Sequence, residues 1–185
     1  MLFLPGISKA GRELAIAAYE RLSNEYPSLT GRAIVASIPL PKAVHWLDDK
    51  LTGGQLHAYA MCLNHWLRFL PVPVVLINAE WLRDCDTLRQ RYGYDVSTGY
   101  HPGCDCPVRY ILYHEIAHFV YVRMGREKQT EWERSFEPGK PSGYSTTPEE
   151  GFCEAFAGYV SGLQGAHFKQ AAAMAVHYRR SRTRA

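Results

Sequence analysis

The 185-residue chain lacks long apolar runs, a disulfide-scaffold pattern and a strong net charge, and each absence excludes a class of protein. The longest apolar run is far shorter than the ~20 residues that a membrane-spanning helix needs. The apolar start of the chain stops at Pro5, which makes it too short for the core of a signal peptide. We therefore expect no membrane span and synthesis in the cytoplasm.

The cysteine and charge patterns argue against disulfide scaffolds and nucleic-acid-binding proteins. Five cysteines, an odd number, favour a reducing compartment. Cys104 and Cys106 resemble half of a metal-binding knuckle, but no second Cys or His pair completes it at zinc-finger spacing, so we expect a plain loop there. A net charge of +3 is too small to indicate a nucleic-acid partner. The arginines of residues 179–185 exceed that charge, and we expect this basic tail to be a solvated helix end.

Length and composition predict one domain over residues 1–185, because 46% hydrophobic content suffices for a substantial core. No internal repeat or low-complexity tract divides the chain. The order of patterns indicates an α+β fold. We predict strands at 32–38 and 74–77, helices at 8–25, 55–70 and 79–92, and loops at 93–106 and 126–143. A strand beginning at Gln55 is the alternative to the helix over 55–70.

The most specific pattern is His114-Glu115-Ile-Ala-His118, an H-E-x-x-H sequence inside an apolar segment that Pro107 can begin as a helix. Positions four apart share one helix face, so both imidazoles can reach a single zinc ion while Glu115 holds the attacking water. A chain with this content of His and Glu would contain only ~0.02 such matches by chance. The pattern therefore predicts a zinc site, and the other histidines, including His101, are expected to be ordinary polar residues.

A catalytic zinc normally has three protein ligands, so a third is needed. Thr147 and Pro148 are typical of a helix start, and we expect this second helix to end near residue 164. Glu150 and Glu154 lie four residues apart on it, so one could bind zinc while the other accepts an imidazole N–H. Spacing alone leaves open which does which. Glu149 is expected to stay in solvent near the positive helix end.

The H-E-x-x-H sequence followed by Tyr144 and by E-x-F-x-E-A-F at 150–156 resembles the gluzincin metallopeptidases related to the catalytic domain of anthrax lethal factor. Small metallopeptidase-like proteins of phages and mobile elements are similar. The resemblance covers roughly residues 114–156. It implies that Glu150 is the third zinc ligand, that Glu154 supports a ligand histidine, and that Tyr144 stabilises the oxyanion. It also implies a zincin-like fold, with a small mixed sheet packed on the H-E-x-x-H helix and on a second, Glu-bearing helix.

Small residues recur along that second helix at Gly151, Ala155, Gly158 and Gly162. This stripe predicts close helix packing, which would help to bring the glutamates to the histidines. Gly151 and Cys153 stand where the family commonly has other residues.

The predicted function is zinc-dependent hydrolysis of a peptide bond in a peptide or protein substrate. His114, His118 and Glu150 would hold the zinc, and Glu115 would act as general base. One alternative is a zincin-like binding module of a phage or mobile element with little or no catalysis, and another is a regulatory protease acting on a repressor or host factor. Glu115 argues against the first, because a scaffold needs no base there. The phage resemblance also allows a virion-associated or host-delivered protein.

Overall fold

The computed structural model describes residues 1–30, 33–38, 59–66 and 69–178, which form a mixed α+β fold made mostly of helices. The strands are β1 (Leu2–Phe3), β2 (Ile34–Ile38), β3 (Ala60–Cys62) and β4 (Val74–Asn78). The helices are α1 (Lys9–Glu25), α2 (Pro27–Thr30), α3 (Leu63–Trp66), α4 (Ala79–Arg83), α5 (Cys85–Ser97), α6 (Pro107–Arg123), α7 (Arg126–Ser135), α8 (Pro148–Val160) and α9 (Ala166–Met174), followed by a 3₁₀ turn (Val176–Tyr178). The predicted α+β class is confirmed.

The four strands make an open sheet in the order β1-β2-β4-β3. The first three are parallel, and β3 runs antiparallel to β4 with Met61 opposite Leu76. Alternate residues of β4, such as Val75 and Ile77, are buried. This alternation is the period-two pattern expected of a strand with one face on the core.

Helix α1 follows its predicted boundaries closely, and α6 begins at Pro107 as predicted. The Ser8 hydroxyl accepts the backbone N–H of Gly11 and so caps α1, while Pro107 occupies the first turn of α6, where a missing N–H costs nothing. The Tyr113 hydroxyl donates to the Ala18 carbonyl at 3.1 Å and ties the two helices together. Helix α6, which carries the H-E-x-x-H sequence, is therefore anchored in the core.

The predicted helix over 55–70 is confirmed at Leu63–Trp66 (α3) but is wrong over Ala60–Cys62, which forms the sheet strand β3. Ala60 and Cys62 are buried and the residue between them is not, so the local period is two. The helical repeat of apolar residues misled here because strand pairing with β4 outweighed it. The proposed strand start at Gln55 and the basic tail 179–185 lie outside the described residues.

Two predicted loops also contain helix. Helix α5 continues through Gly93 and ends at Ser97. It is closed by Gly99, whose φ of 73° lets the Gly99 and Tyr100 amides bond back to the last turn. Arg126–Ser135 forms α7 although it is strongly polar, because its residues favour helix and Trp132 alone anchors it in the core. Polarity was a poor guide to a helix that buries a single side chain.

Helix α8 begins as predicted at Thr147 and Pro148 but ends at Val160, four residues early. Gly162 has a φ of 96°, and the amides of Gly162 and Leu163 bond to the carbonyls of Tyr159 and Gly158. This pair of bonds is a Schellman motif, which closes a helix.

Two residues of the small-residue stripe of α8, Gly151 and Gly158, pack closely on phenylalanine rings, whereas nothing lies within 4 Å of a Cβ atom placed on Gly162. A Cβ atom placed on Gly151 would come within 2.4 Å of the Phe136 ring, and one on Gly158 within 2.5 Å of the Phe168 ring. The stripe therefore covers a different side of α8 from the one that carries the glutamates.

No helix in the part of the chain that the structure describes is long and apolar enough to cross a membrane.

A pair of helical glycines tests this packing. Gly158→Ala should lower the free energy of unfolding by about 1–3 kcal/mol, because Phe168 is buried and cannot move away from the added methyl. Gly93→Ala, where nothing lies within 4 Å of the new Cβ, should raise it by about 0.4–1 kcal/mol through the lost entropy of the unfolded chain. Urea unfolding of both variants measures the difference, and equal stabilities would contradict the close contact at Gly158.

Candidate metal centre

Helix α6 presents His114 and His118 on the face that packs against α8. Both imidazoles are buried, and their ring centroids lie 5.2 Å apart. The contact between α6 and α8 is the most extensive one between described elements. The Tyr110 hydroxyl donates to the Glu154 carbonyl at 3.1 Å and holds the two helices in register. The spacing of the two histidines on α6 thus gives a buried pair of imidazoles only because α8 packs over them.

Glu150 lies between the two imidazoles. Its Oε2 is 3.1 Å from Nε2 of His114 and 3.8 Å from Nε2 of His118. Two nitrogen or oxygen ligands of a tetrahedral zinc ion lie ~3.3 Å apart. The Glu150 oxygen is therefore close enough to each imidazole nitrogen to share a zinc ion with it. Burial raises the pKa of Glu150, but the neighbouring His114 and His118 lower it by more. The net effect is a lowered pKa, which favours the ionised carboxylate.

Glu154 meets the other nitrogen of His114. Its Oε1 lies 2.9 Å from Nδ1 of His114, and its Oε2 accepts the Ser142 hydroxyl at 2.5 Å. Burial would raise the pKa of Glu154, but His101 and His114 lower it to about 2. An ionised carboxylate at Nδ1 fixes the ring so that Nε2 is free to face a metal, which is the usual outer support of a ligand histidine.

Glu149 has the same relation to His118, and the expectation that it stays in solvent is wrong. Its Oε1 lies 2.9 Å from Nδ1 of His118, and its side chain is only 13% exposed. The close packing of α6 on α8 turns this first-turn glutamate inward. Each imidazole of the H-E-x-x-H sequence therefore has its own carboxylate from α8, and Glu150 lies between them.

Glu115 is buried beside the two histidines. Its side chain is 8% exposed and accepts a hydrogen bond from the backbone of Cys62 in β3. Burial raises the pKa of Glu115, although the neighbouring imidazoles of His114 and His118 oppose the shift. A carboxylate whose pKa is raised towards neutrality is a better proton acceptor than an exposed one. The site thus contains a buried carboxyl group as well as candidate ligands.

Tyr144 lies beside the cluster, with its ring centroid 5.5 Å from that of His114. Its backbone N–H donates to the Tyr100 carbonyl at 3.0 Å, which joins the loop before α8 to the loop after α5. Burial and the charge of Glu150 raise the pKa of Tyr144, so that the phenol keeps its proton and can donate it in a hydrogen bond. The ring of Tyr144 therefore brings a protonated phenol beside His114.

Cys153 was not predicted at this site. One donor atom each from His114, His118 and Cys153 all lie within 4.8 Å of one another, and the thiol is fully buried. Cys104 and Cys106 belong to no such cluster among the described residues.

The residues that sequence reasoning missed differ in how well they could have been found. Glu149 and Cys153 are four residues apart and adjoin Glu150 and Glu154, so helical geometry puts all four on neighbouring positions of α8. His101, whose Nδ1 is 3.4 Å from Oε1 of Glu154, has no such signal because a loop places it. That nitrogen makes no aligned hydrogen bond.

Comparison of the chain with protein-family models, with curated proteins and with solved structures gave no match.

Zinc content tests the ligand set. Protein purified without chelator should carry about one zinc per chain, as expected for a site with three or more protein donors. His114→Ala and His118→Ala should each lose most of it, because each removes one donor from the ion. Elemental analysis measures the ratio of zinc to protein. A content near zero, or one that survives both substitutions, contradicts the site.

The outer carboxylates give a separate prediction. Glu149→Ala and Glu154→Ala should each weaken zinc binding by ~10–100-fold, because each leaves the Nδ1 of a ligand histidine without its acceptor. Glu131→Ala, an exposed glutamate on α7, is the matched control and should leave the affinity unchanged. A competition titration with a zinc chelator orders the three variants. Equal affinities of Glu149→Ala and the control would remove Glu149 from the site.

Proposed function

We propose that the protein is a zinc-dependent peptidase. The observation that supports this best is the position of Glu150, whose Oε2 lies 3.1 and 3.8 Å from the Nε2 atoms of both H-E-x-x-H histidines. With the buried Glu115 beside them, these residues offer two imidazoles, one carboxylate and one base. Three ligands with an adjacent base form the set used by zinc hydrolases.

His114, His118 and Glu150 would hold the zinc, which when bound polarises a carbonyl oxygen and lowers the pKa of water. Glu115 takes a proton from the attacking water at its carboxylate and returns it to the leaving amine. Its burial suits this role, because burial raises the pKa of Glu115 and so makes it a stronger proton acceptor. Glu149 and Glu154 keep the two imidazoles oriented during the cycle.

Tyr144 donates its phenolic hydrogen to the oxyanion that forms on the scissile carbonyl. Its position beside His114 and its raised pKa support this role, since a donor must stay protonated throughout. The ring of Tyr144 packs against the ring of Tyr100, with 5.3 Å between their centroids. The hydrogen bond from the Tyr144 amide to the Tyr100 carbonyl also holds it in place. A donor held by packing needs no rearrangement when charge develops.

The finer fold assignment belongs to the same proposal. A small mixed sheet with an antiparallel edge strand, packed against an H-E-x-x-H helix and a second Glu-bearing helix, supports a zincin-like architecture. The strand β3 reaches Glu115 through the backbone of Cys62, so the sheet adjoins the proposed reacting groups directly. The resemblance to gluzincins at residues 114–156 agrees with this arrangement.

Glu115→Gln separates a peptidase from a binding module. The amide keeps the size of the side chain but cannot accept the proton, so peptide hydrolysis should fall by ~100-fold or more while zinc content and folding persist. Glu131→Gln on the exposed face of α7 is the control and should cleave as the unchanged protein does. Cleavage of a broad peptide library, read by mass spectrometry, gives the rates. Equal hydrolysis by the Glu115→Gln variant and the unchanged protein would exclude Glu115 as the base, and no hydrolysis by any form would favour the binding module.

A further inference from the structure

A buried thiol adjoins the proposed metal site, and the peptidase mechanism does not use it. The Sγ of Cys153 and one nitrogen each of His114 and His118 lie within 4.8 Å of one another. We propose that Cys153 is a further ligand of the metal held by these histidines, so that four protein donors surround the ion. This inference rests on the proposed metal centre and adds to it a sulfur donor.

The position of Cys153 on α8 supports coordination. It follows Glu149 by four residues, follows Glu150 by three and precedes Glu154, so it lies on the side of α8 that faces both imidazoles. Buried cysteines are common as small apolar residues, but Cys153 also has a nitrogen of each of two buried imidazoles within 4.8 Å. Cys62, the other buried thiol near the site, donates instead to the Asn64 side chain at 3.4 Å.

Coordination of the metal by Cys153 explains why a thiol lies among the glutamates of α8. Cys153 is fully buried and lies one helical turn from both Glu149 and Glu150. A bound divalent metal deprotonates a coordinating thiol, and the proton leaves to solvent. Thiolate ligands favour zinc and cobalt over hard cations such as magnesium. The donor set therefore predicts selectivity for a soft or borderline metal.

A fourth protein ligand also affects access to the metal. Structural zinc sites have four protein ligands, whereas catalytic ones have three and keep one position for water or substrate. With His114, His118, Glu150 and Cys153 all bound, the resting site is closed, and hydrolysis requires one donor to withdraw. Removing the sulfur should therefore open the site and increase hydrolysis while it weakens metal binding.

Cobalt substitution tests the sulfur ligand directly. Full-length protein loaded with one equivalent of Co(II) should show the intense near-ultraviolet charge-transfer band of a cobalt–thiolate bond. Cys153→Ala should lose the band and bind cobalt at least ~10-fold more weakly, whereas Cys62→Ala, the matched buried-thiol control, should keep it. Glu150→Ala should also keep the band, because the sulfur remains bound. The Cys153→Ala protein should hydrolyse peptides faster than the unchanged protein.

The outcomes distinguish the two proposals. Cobalt bound at one equivalent without the band, or a band that survives in Cys153→Ala, overturns the sulfur ligand and leaves the peptidase proposal standing. A band that depends on Cys153, together with no hydrolysis by the unchanged protein or by Cys153→Ala, supports the sulfur ligand and overturns the peptidase. Failure to bind either cobalt or zinc overturns both.

Discussion

The contact between the imidazoles of α6 and the carboxylates of α8 is the interaction on which the candidate site depends. His114 and Glu154 are 5% and 0% exposed, and burying such groups without partners would cost several kcal/mol. Each is paired instead, and His118 is paired with Glu149. Because all of these pairs use neighbouring positions on two helices, rotation of α8 by one residue would break them together. The register of α6 against α8 is therefore what the surrounding structure must maintain.

The loops that precede α6 and α8 help to hold these two helices in register. The amides of Gly143 and Tyr144 donate to the carbonyls of Gly99 and Tyr100, so the loop before α8 is joined to the loop after α5. A Cβ atom on Gly143 would lie 3.1 Å from the Gly99 carbonyl oxygen, which explains why the smallest residue occupies this crossing. The same loops bring Ser142 to Glu154 and Tyr144 to His114. The loop contacts that hold α6 and α8 in register thus also place side chains in the candidate site.

Sequence reasoning was most successful where local rules suffice. The starts of α1, α6 and α8 followed from Ser8, Pro107 and Thr147, because capping depends on the nearest few residues. It failed over Ala60–Cys62, where apolar spacing suited a helix but pairing with β4 made a strand. It also failed at Arg126–Ser135, where polarity concealed a helix that buries only Trp132. In the first of these segments the deciding partner, β4, lies outside the segment itself.

The sequence by itself determined which side chains share a helix face: His114 with His118, and Glu150 with Glu154. Helical geometry sets these relations within each chain segment, whatever surrounds it. Only the tertiary structure decided which carboxylate meets which nitrogen, turned Glu149 inward, and brought Cys153 and His101 to the cluster. The physical reason is that the relative rotation of α6 and α8 depends on packing between residues far apart in the chain, and no local periodicity encodes it.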